Sequence, residues 1–290
     1  MRANMEIGYN MRSVLMKTLP VGFIERLRIG FALKKNNTPI LVLQMGKVGS
    51  SSIYDGLRLS KIQNPVYHIH HISLDKIVSS EKYYRSRNTY IRHHLIVSKI
   101  INEQFFSGNI PFVYIVTAIR EPIARRISSF FENFPQVNPD LLNYTGAEFE
   151  DKAVETLIRI FRDEASEIKN FADSWFSNEI YEPFGLDVFC KHYDHAQGFH
   201  LLDNNKARIV LFKIESLSDN FSRGIEALVG GQASLGTRNI ASHKYYSESY
   251  QAVKKRLKLK ESIVREILSS KVVEFFYAKE KEALIRKWSA

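Results

Sequence analysis

The chain has 290 residues, 44% of them hydrophobic and 25% charged. That composition excludes disordered, collagen-like and coiled-coil classes, and the length is enough to bury a sizeable core. Forty-one basic against 31 acidic side chains leave a net charge of +10, which favours anionic partners without choosing among nucleic acid, acidic lipid and phosphorylated or sulfated small molecules.

Residues 1–35 read as an N-terminal helical segment. Its start carries charges inside every apolar stretch and makes a poor signal peptide. Within it, Arg12, Lys17, Arg26 and Arg28 stand among Leu, Val, Phe and Met. This segment reads as a helix packed on the domain, with peripheral contact at an acidic membrane surface as the second reading. Ile40–Gln44 (ILVLQ) is a short continuous apolar run, as in a strand covered on both faces. A Gly/Ser loop follows, and then a helix from Ser50. Val66–Ile72 (VYHIHHI) alternates like a second strand, and Tyr90–Phe106 reads as a helix. The longest apolar run, Ile110–Ile119, has the length of a buried strand and falls well short of the ~18 residues of a membrane span. Pro122 fits the first turn of the next helix. Val154–Phe171 reads as an amphipathic helix, Ala207–Ile214 as a buried strand, and Leu217–Leu228 as a helix. Lys254–Lys260 (KKRLKLK) sets five cations in seven positions, and reads equally as a solvated helical face or an anion-binding run. Glu261–Trp288 closes the chain as a helix. Strands alternating with helices predict an α/β fold with a mainly parallel central sheet flanked by helices, in one domain over residues 1–290. The single cysteine, Cys190, excludes an internal disulfide and a cysteine-based zinc site. The expectation is a cytoplasmic protein, at the inner face of the membrane if the N-terminal segment binds there.

The segment Leu41–Leu57 (LVLQMGKVGSSSIYDGL) runs strand, glycine loop, helix. Such a turn aims backbone N–H groups and a positive helix N-terminus at one point, where an anion is stabilised. Gly46 and Gly49 let the chain turn closely, Ser50, Ser51 and Ser52 add hydroxyl donors, and Lys47 adds a mobile charge. A Walker loop needs its lysine after the last glycine, next to a hydroxyl that holds magnesium. Here Lys47 precedes Gly49 and is followed by Val48, so that pattern fails. A second anion element follows the strongest strand, at Arg120. Ligands of open α/β sheets sit beyond the carboxyl ends of strands. An arginine there, with a serine on the following helix, can clamp a phosphate. Arg125 and Arg126 read as helix-surface charges.

Together these motifs resemble those of sulfotransferases that use 3′-phosphoadenosine 5′-phosphosulfate (PAPS). The loop is similar to that family's 5′-phosphosulfate loop. Arg120-Glu-Pro with Ser128 eight residues after the arginine is similar to its 3′-phosphate element. KIESL (Lys213–Leu217) resembles its later strand end, where Glu215 reads as structural. Trp175–Phe199 and Asn239–Tyr250 (NIASHKYYSESY) resemble a bacterial branch linked to capsular polysaccharide synthesis. The resemblance spans roughly Pro39–Leu259. It implies a P-loop-like, sulfotransferase-type fold and PAPS as donor, with no metal required and 3′,5′-ADP as product. It also implies a carbohydrate or polysaccharide acceptor rather than nucleic acid. The implied donor-binding set is Lys47, Val48, Gly49, Ser50, Ser51, Ser52, Arg120, Ser128 and Lys244.

Transfer to a hydroxyl requires removal of the acceptor proton and stabilisation of the leaving phosphate. Lys47 suits the second role. Histidine is the usual base near neutral pH, and His68, His70 and His71 crowd into YHIHHIS. On a strand, His68 and His70 share one face and His71 takes the other. A His-x-His pair near this point occurs in some glycan sulfotransferases, so His70 is the expected base and His68 its assistant. Glu103 and the histidines of Cys190–His200 come next. A hydrogen-bonded structural cluster is the competing reading of the three, and no third metal ligand is evident from spacing. Two other functions fit the same features: a different enzyme of surface-polysaccharide assembly, such as a glycosyltransferase (although no Asp-x-Asp motif is present), and a non-catalytic nucleotide- or polyanion-binding protein.

Overall fold

The computed structural model describes residues 21–34, 38–87, 90–236 and 246–290. In chain order the elements are α1 (Val21–Lys34), β1 (Ile40–Leu43), α2 (Ser50–Leu59), β2 (Val66–Ile69), α3 (Leu74–Ser86), α4 (His93–Phe106), β3 (Val113–Ile119), α5 (Pro122–Val137), α6 (Gly146–Asp163), α7 (Ala165–Phe176), β4 (Phe199–Asp203), β5 (Ala207–Lys213), α8 (Leu217–Val229), α9 (Ser247–Arg256), α10 (Glu261–Ile267), α11 (Lys271–Phe276) and α12 (Lys281–Trp288). The five strands form one sheet in the order β2-β1-β3-β5-β4. The first four are mutually parallel, and β4 closes the edge antiparallel to β5. The α/β class with a mostly parallel, helix-flanked sheet is therefore as the alternation predicts.

Burial explains the strand sequences. All four residues of β1 are buried, as are all of β3 except Tyr114 and all of β5 except Arg208. A strand covered on both faces must be apolar throughout, which is why these segments do not alternate. Pro122 occupies the first turn of α5, and the buried Glu121 caps it. Its carboxylate accepts from the Ile123 and Ala124 amides at 2.9 Å each and from the Trp288 indole at 3.0 Å. That last bond ties α12 to the carboxyl end of β3.

Several boundaries differ from the sequence reading. The strand expected through Ile72 stops at Ile69, because the backbone amides of Ile72 and Ser73 bond to Glu179 instead of a neighbouring strand. The helix expected over Val154–Phe171 begins earlier and breaks at Glu164, between α6 and α7. The C-terminal helix is three short ones, with Ser270 capping α11 through the Val273 amide. Three elements, α3, the edge strand β4 and most of α9, fall in stretches to which the periodicity assigns nothing. The run Lys254–Lys260 is not a continuous helical face: it leaves the helix after Arg256, and Leu257 and Leu259 are buried. Arg256 pairs with Glu150 and Asp151.

Helix α1 packs on α4 and buries Ile29, while Phe23, Leu27 and Phe31 lie on its exposed side. Arg12 and Lys17 lie outside the described residues. Among the described residues, no helix is long and apolar enough to cross a membrane.

Candidate functional site

Parallel pairing of β1 with β3, with Val42 opposite Val116, brings the loop after β1 and the residue after β3 to one edge of the sheet. There they wall a cleft of about 280 Å³, with Lys47, Ser50, Ser51 and Ser52 on one side and Arg120 and Ser128 on another. Residues more than 70 positions apart thus meet. The loop owes its shape to two left-handed residues. Gly49 caps α2 at φ 77°, where a Cβ would fall 2.6 Å from Ile214 Cδ1. Lys47 adopts φ 73°, a conformation that costs a non-glycine residue of order 1–3 kcal/mol and is concentrated at functional loops. The first turn of α2 then directs its amides and helix dipole at the cleft, a favourable arrangement for an anion.

Arg120 is held from two sides. One guanidinium nitrogen donates to the Lys47 carbonyl at 3.5 Å and another to the Tyr250 hydroxyl at 3.0 Å. The Lys47 ammonium lies 3.3 Å from Glu132, which also accepts from the Tyr246 hydroxyl at 2.8 Å. Glu132, Tyr246 and Tyr250 all line the cleft, and none of them is in the implied donor-binding set. Glu132 could have been found, since it follows Ser128 by one helical turn. Both tyrosines fall within the NIASHKYYSESY segment, whose Lys244 lies outside the described residues. Val48 is buried beneath the loop and its side chain does not line the cleft. Replacing Glu132 by glutamine is expected to raise the cleft's affinity for a phosphate anion by roughly three- to tenfold in calorimetry, because it removes a competing negative charge from beside Lys47. A fall in affinity would instead make Glu132 the group that holds Lys47 in its binding position.

The histidines gather nearby but do not line this cleft. His70 sits just past the end of β2 and its ring stands 5.0 Å from that of His68, so the two share a face as expected. His71 turns away to Glu179, at 2.9 Å. The spacing does not single out His94, which packs edge-on against His70 at 4.8 Å, and Tyr54 stacks on His68 at 5.5 Å. His70 Nδ1 lies 2.7 Å from the Gln44 carbonyl. A carbonyl only accepts, so Nδ1 carries the proton and Nε2 keeps its lone pair. Gln44 is itself fixed, its side-chain amide donating to Val116 O and accepting from Ala118 N. The base candidate is thereby joined to the strand that leads into Lys47.

Burial lowers the pKa of all three rings: His68 to about 4, His94 to about 3, and His70 below its ordinary 6.5 despite its bond to Gln44. Lys47 and Arg92 are among the charges that press His70 further down. Glu121 shifts the opposite way, pushed up to about 7 by burial. The signs give a prediction. A histidine depressed in the folded state contributes stability above pH 6.5, and that contribution is lost as pH falls toward the folded pKa, because only the unfolded chain takes up the proton. His94→Gln should therefore make acid destabilisation shallower by about 1.4 kcal/mol per pH unit between pH 6 and 5, read from urea midpoints. Glu121, charged more readily when unfolded, opposes this trend between about pH 4.5 and 7.

Arg125 and Arg126 are not simple surface charges. Arg125 is buried over the Phe171 ring at 3.7 Å, where burial lowers its pKa to about 10. Arg126 pairs with Glu164 at 2.6 Å. Glu215 has the structural place expected of it, accepting from the Glu121 amide and from the Tyr277 hydroxyl. Among the described residues, no three His, Cys, Asp or Glu side chains are grouped to hold a metal ion.

Compared with known proteins, residues 149–278 match the model of the NKWYS family, described as "putative capsular polysaccharide synthesis protein". The matched stretch runs from α6 through α11 and excludes the Lys47 loop and Arg120. No curated protein and no solved structure matches.

Proposed function

We propose that the chain is a sulfotransferase that moves a sulfuryl group from PAPS to a carbohydrate hydroxyl, within the capsular-polysaccharide role that the family description suggests. The observation that carries this reading is the convergence of Lys47, the α2 N-terminus, Arg120 and Ser128 on one cleft beyond the carboxyl ends of two adjacent parallel strands. A donor with phosphates at both its 3′ and 5′ positions needs two anion sites, and the cleft has a cationic element on each side. The loop and Lys47 would take the 5′-phosphosulfate, and Arg120 with Ser128 the 3′-phosphate. In the reaction the acceptor oxygen attacks sulfur, the bond from sulfur to the bridging phosphate oxygen breaks, and 3′,5′-ADP leaves. The acceptor proton passes to His70 Nε2, while Lys47 offsets charge on the leaving phosphate. As in phosphoryl transfer, most of the acceleration comes from positioning and charge neutralisation.

The test is nucleotide selectivity. 3′,5′-ADP is expected to bind at least tenfold more tightly than 5′-AMP, since a charge-assisted bond contributes about 1.5–3 kcal/mol. Arg120→Ala should erase the difference. Equal affinities in the parent protein would sink the assignment and leave a glycosyltransferase or a non-catalytic polyanion-binding protein in its place.

A further inference from the structure

A larger cavity, about 700 Å³, opens on the other side of α5. Positions on this helix alternate between the two: Ser128 and Glu132 face the cleft, and Ser129 and Asn133 face the cavity. The cavity's walls come from α3, α5, α6 and the segment before α4, and their chemistry is specific. Tyr83, Tyr84 and Tyr90 supply aromatic faces, the last almost fully exposed. Arg87, Arg92, Arg126 and Arg159 supply guanidinium groups. Two of these arginines are already stacked, Arg87 over Tyr83 at 4.7 Å and Arg92 over Tyr84 at 5.6 Å. Stacking presents a planar donor fork in a defined orientation. Among the described residues, two carboxylates line the cavity, Asp163 and Glu164, and each already has an arginine partner: Arg162 and Arg126. The surplus charge is therefore positive.

From this we infer that the cavity binds the acceptor, and that the acceptor is an acidic, carboxylate-bearing oligosaccharide, with tyrosine faces on the sugar rings and arginine forks on the carboxylates. This rests on the reading of the α5 cleft as a donor site. Position supports it. Arg92 ends the segment that leads into α4, and His94, in the first turn of that helix, touches His70 edge-on. The Arg92 end of the cavity is therefore its end next to the helix whose first turn carries His94 against His70. Arg159, Asp163 and Glu164 also fall within the stretch that matches the polysaccharide-synthesis family.

Calorimetry at low ionic strength, using a galacturonic-acid hexamer and neutral maltohexaose, tests the inference. The acidic hexamer should bind at least tenfold more tightly than the neutral one. Arg92→Gln and Arg159→Gln should each weaken it by about tenfold while leaving 3′,5′-ADP affinity within twofold. Arg159 lies on the outer helix α6, so its variant keeps the test open should Arg92→Gln fail to fold. Equal binding of the two hexamers, undiminished binding in the Arg159→Gln variant, or displacement of the acid by an equal concentration of an oligothymidylate would each overturn it. Binding of the acidic hexamer without any binding of 3′,5′-ADP would uphold the cavity and overturn the donor reading instead.

Discussion

Replacing His70 by alanine is expected to lower turnover by about 10²–10⁴-fold, the usual contribution of a general base, and to leave 3′,5′-ADP affinity nearly intact. The separation follows from geometry. Lys47, Arg120 and Ser128 line the cleft proposed for the donor and His70 does not. The Gln44 carbonyl holds the His70 proton on Nδ1, so the opposite nitrogen is available to an acceptor hydroxyl. Burial then keeps the ring neutral at pH values where an exposed histidine would be charged. The base form is lost only as pH falls through the depressed pKa. The acid limb of kcat/KM should accordingly lie below pH 6.5, and vanish in His70→Ala. Lys47→Ala should behave differently, weakening both donor binding and turnover. His68→Ala should cost less than His70→Ala, because His68 neighbours His70 without sharing its bond to Gln44. Near-normal turnover in His70→Ala would move the base elsewhere. Two of the other candidates are poorly placed: Glu103 is paired with Arg26 at 2.6 Å, and His200 is buried on the edge strand.

The parts of this site that sequence reveals are those that depend on short-range geometry. A glycine loop between a buried strand and a helix, or an Arg-Glu-Pro after a second strand, is local, and its residues determine its shape. Lys47, Ser50, Arg120 and Ser128 could be named for that reason. What sequence conceals is the set of partners that arrive from distant elements. Tyr250 reaches Arg120 across 130 positions, and Glu179 reaches His71 across 108. No periodicity encodes such meetings; they depend on how α7 and α9 pack. The same limit explains the breaks in the long helices. Continuous amphipathic periodicity survives a turn that changes direction, so Val154–Phe171 reads as one helix although the chain bends at Glu164. Edge strand β4 was hidden for another reason: it is short and lies beside a loop-rich segment, where alternation has too few residues to register.

Glu179→Ala is expected to lower stability by about 3–5 kcal/mol, which moves the thermal midpoint down by roughly 5–8 °C. Glu179 is almost wholly buried, on the irregular turn of helix after α7. One carboxylate oxygen accepts from the Ile72 amide at 2.6 Å and the Ser73 amide at 3.0 Å, and the other faces His71 Nδ1 and the Ser73 hydroxyl. Truncation leaves two backbone N–H groups in a buried turn without acceptors, and each such group costs about 1–3 kcal/mol. Glu179→Gln should be milder. Its carbonyl can still receive both amides, and its amide nitrogen can donate to the serine hydroxyl and to a His71 ring that changes tautomer. What glutamine cannot restore is the charge that strengthens those bonds, so a loss of about 1–2 kcal/mol is expected. The turn also sets the direction in which the chain leaves His70, whose carbonyl is held by the Trp175 indole at 3.3 Å. Turnover should therefore fall in Glu179→Ala even at temperatures where the protein remains folded, with 3′,5′-ADP affinity changing little because the Lys47 loop follows a different strand, β1. Denaturation midpoints for the two variants, read beside nucleotide affinity at 15 °C, check each part. If Glu179→Gln proves as unstable as Glu179→Ala, the charge itself, rather than the acceptor geometry, holds the turn.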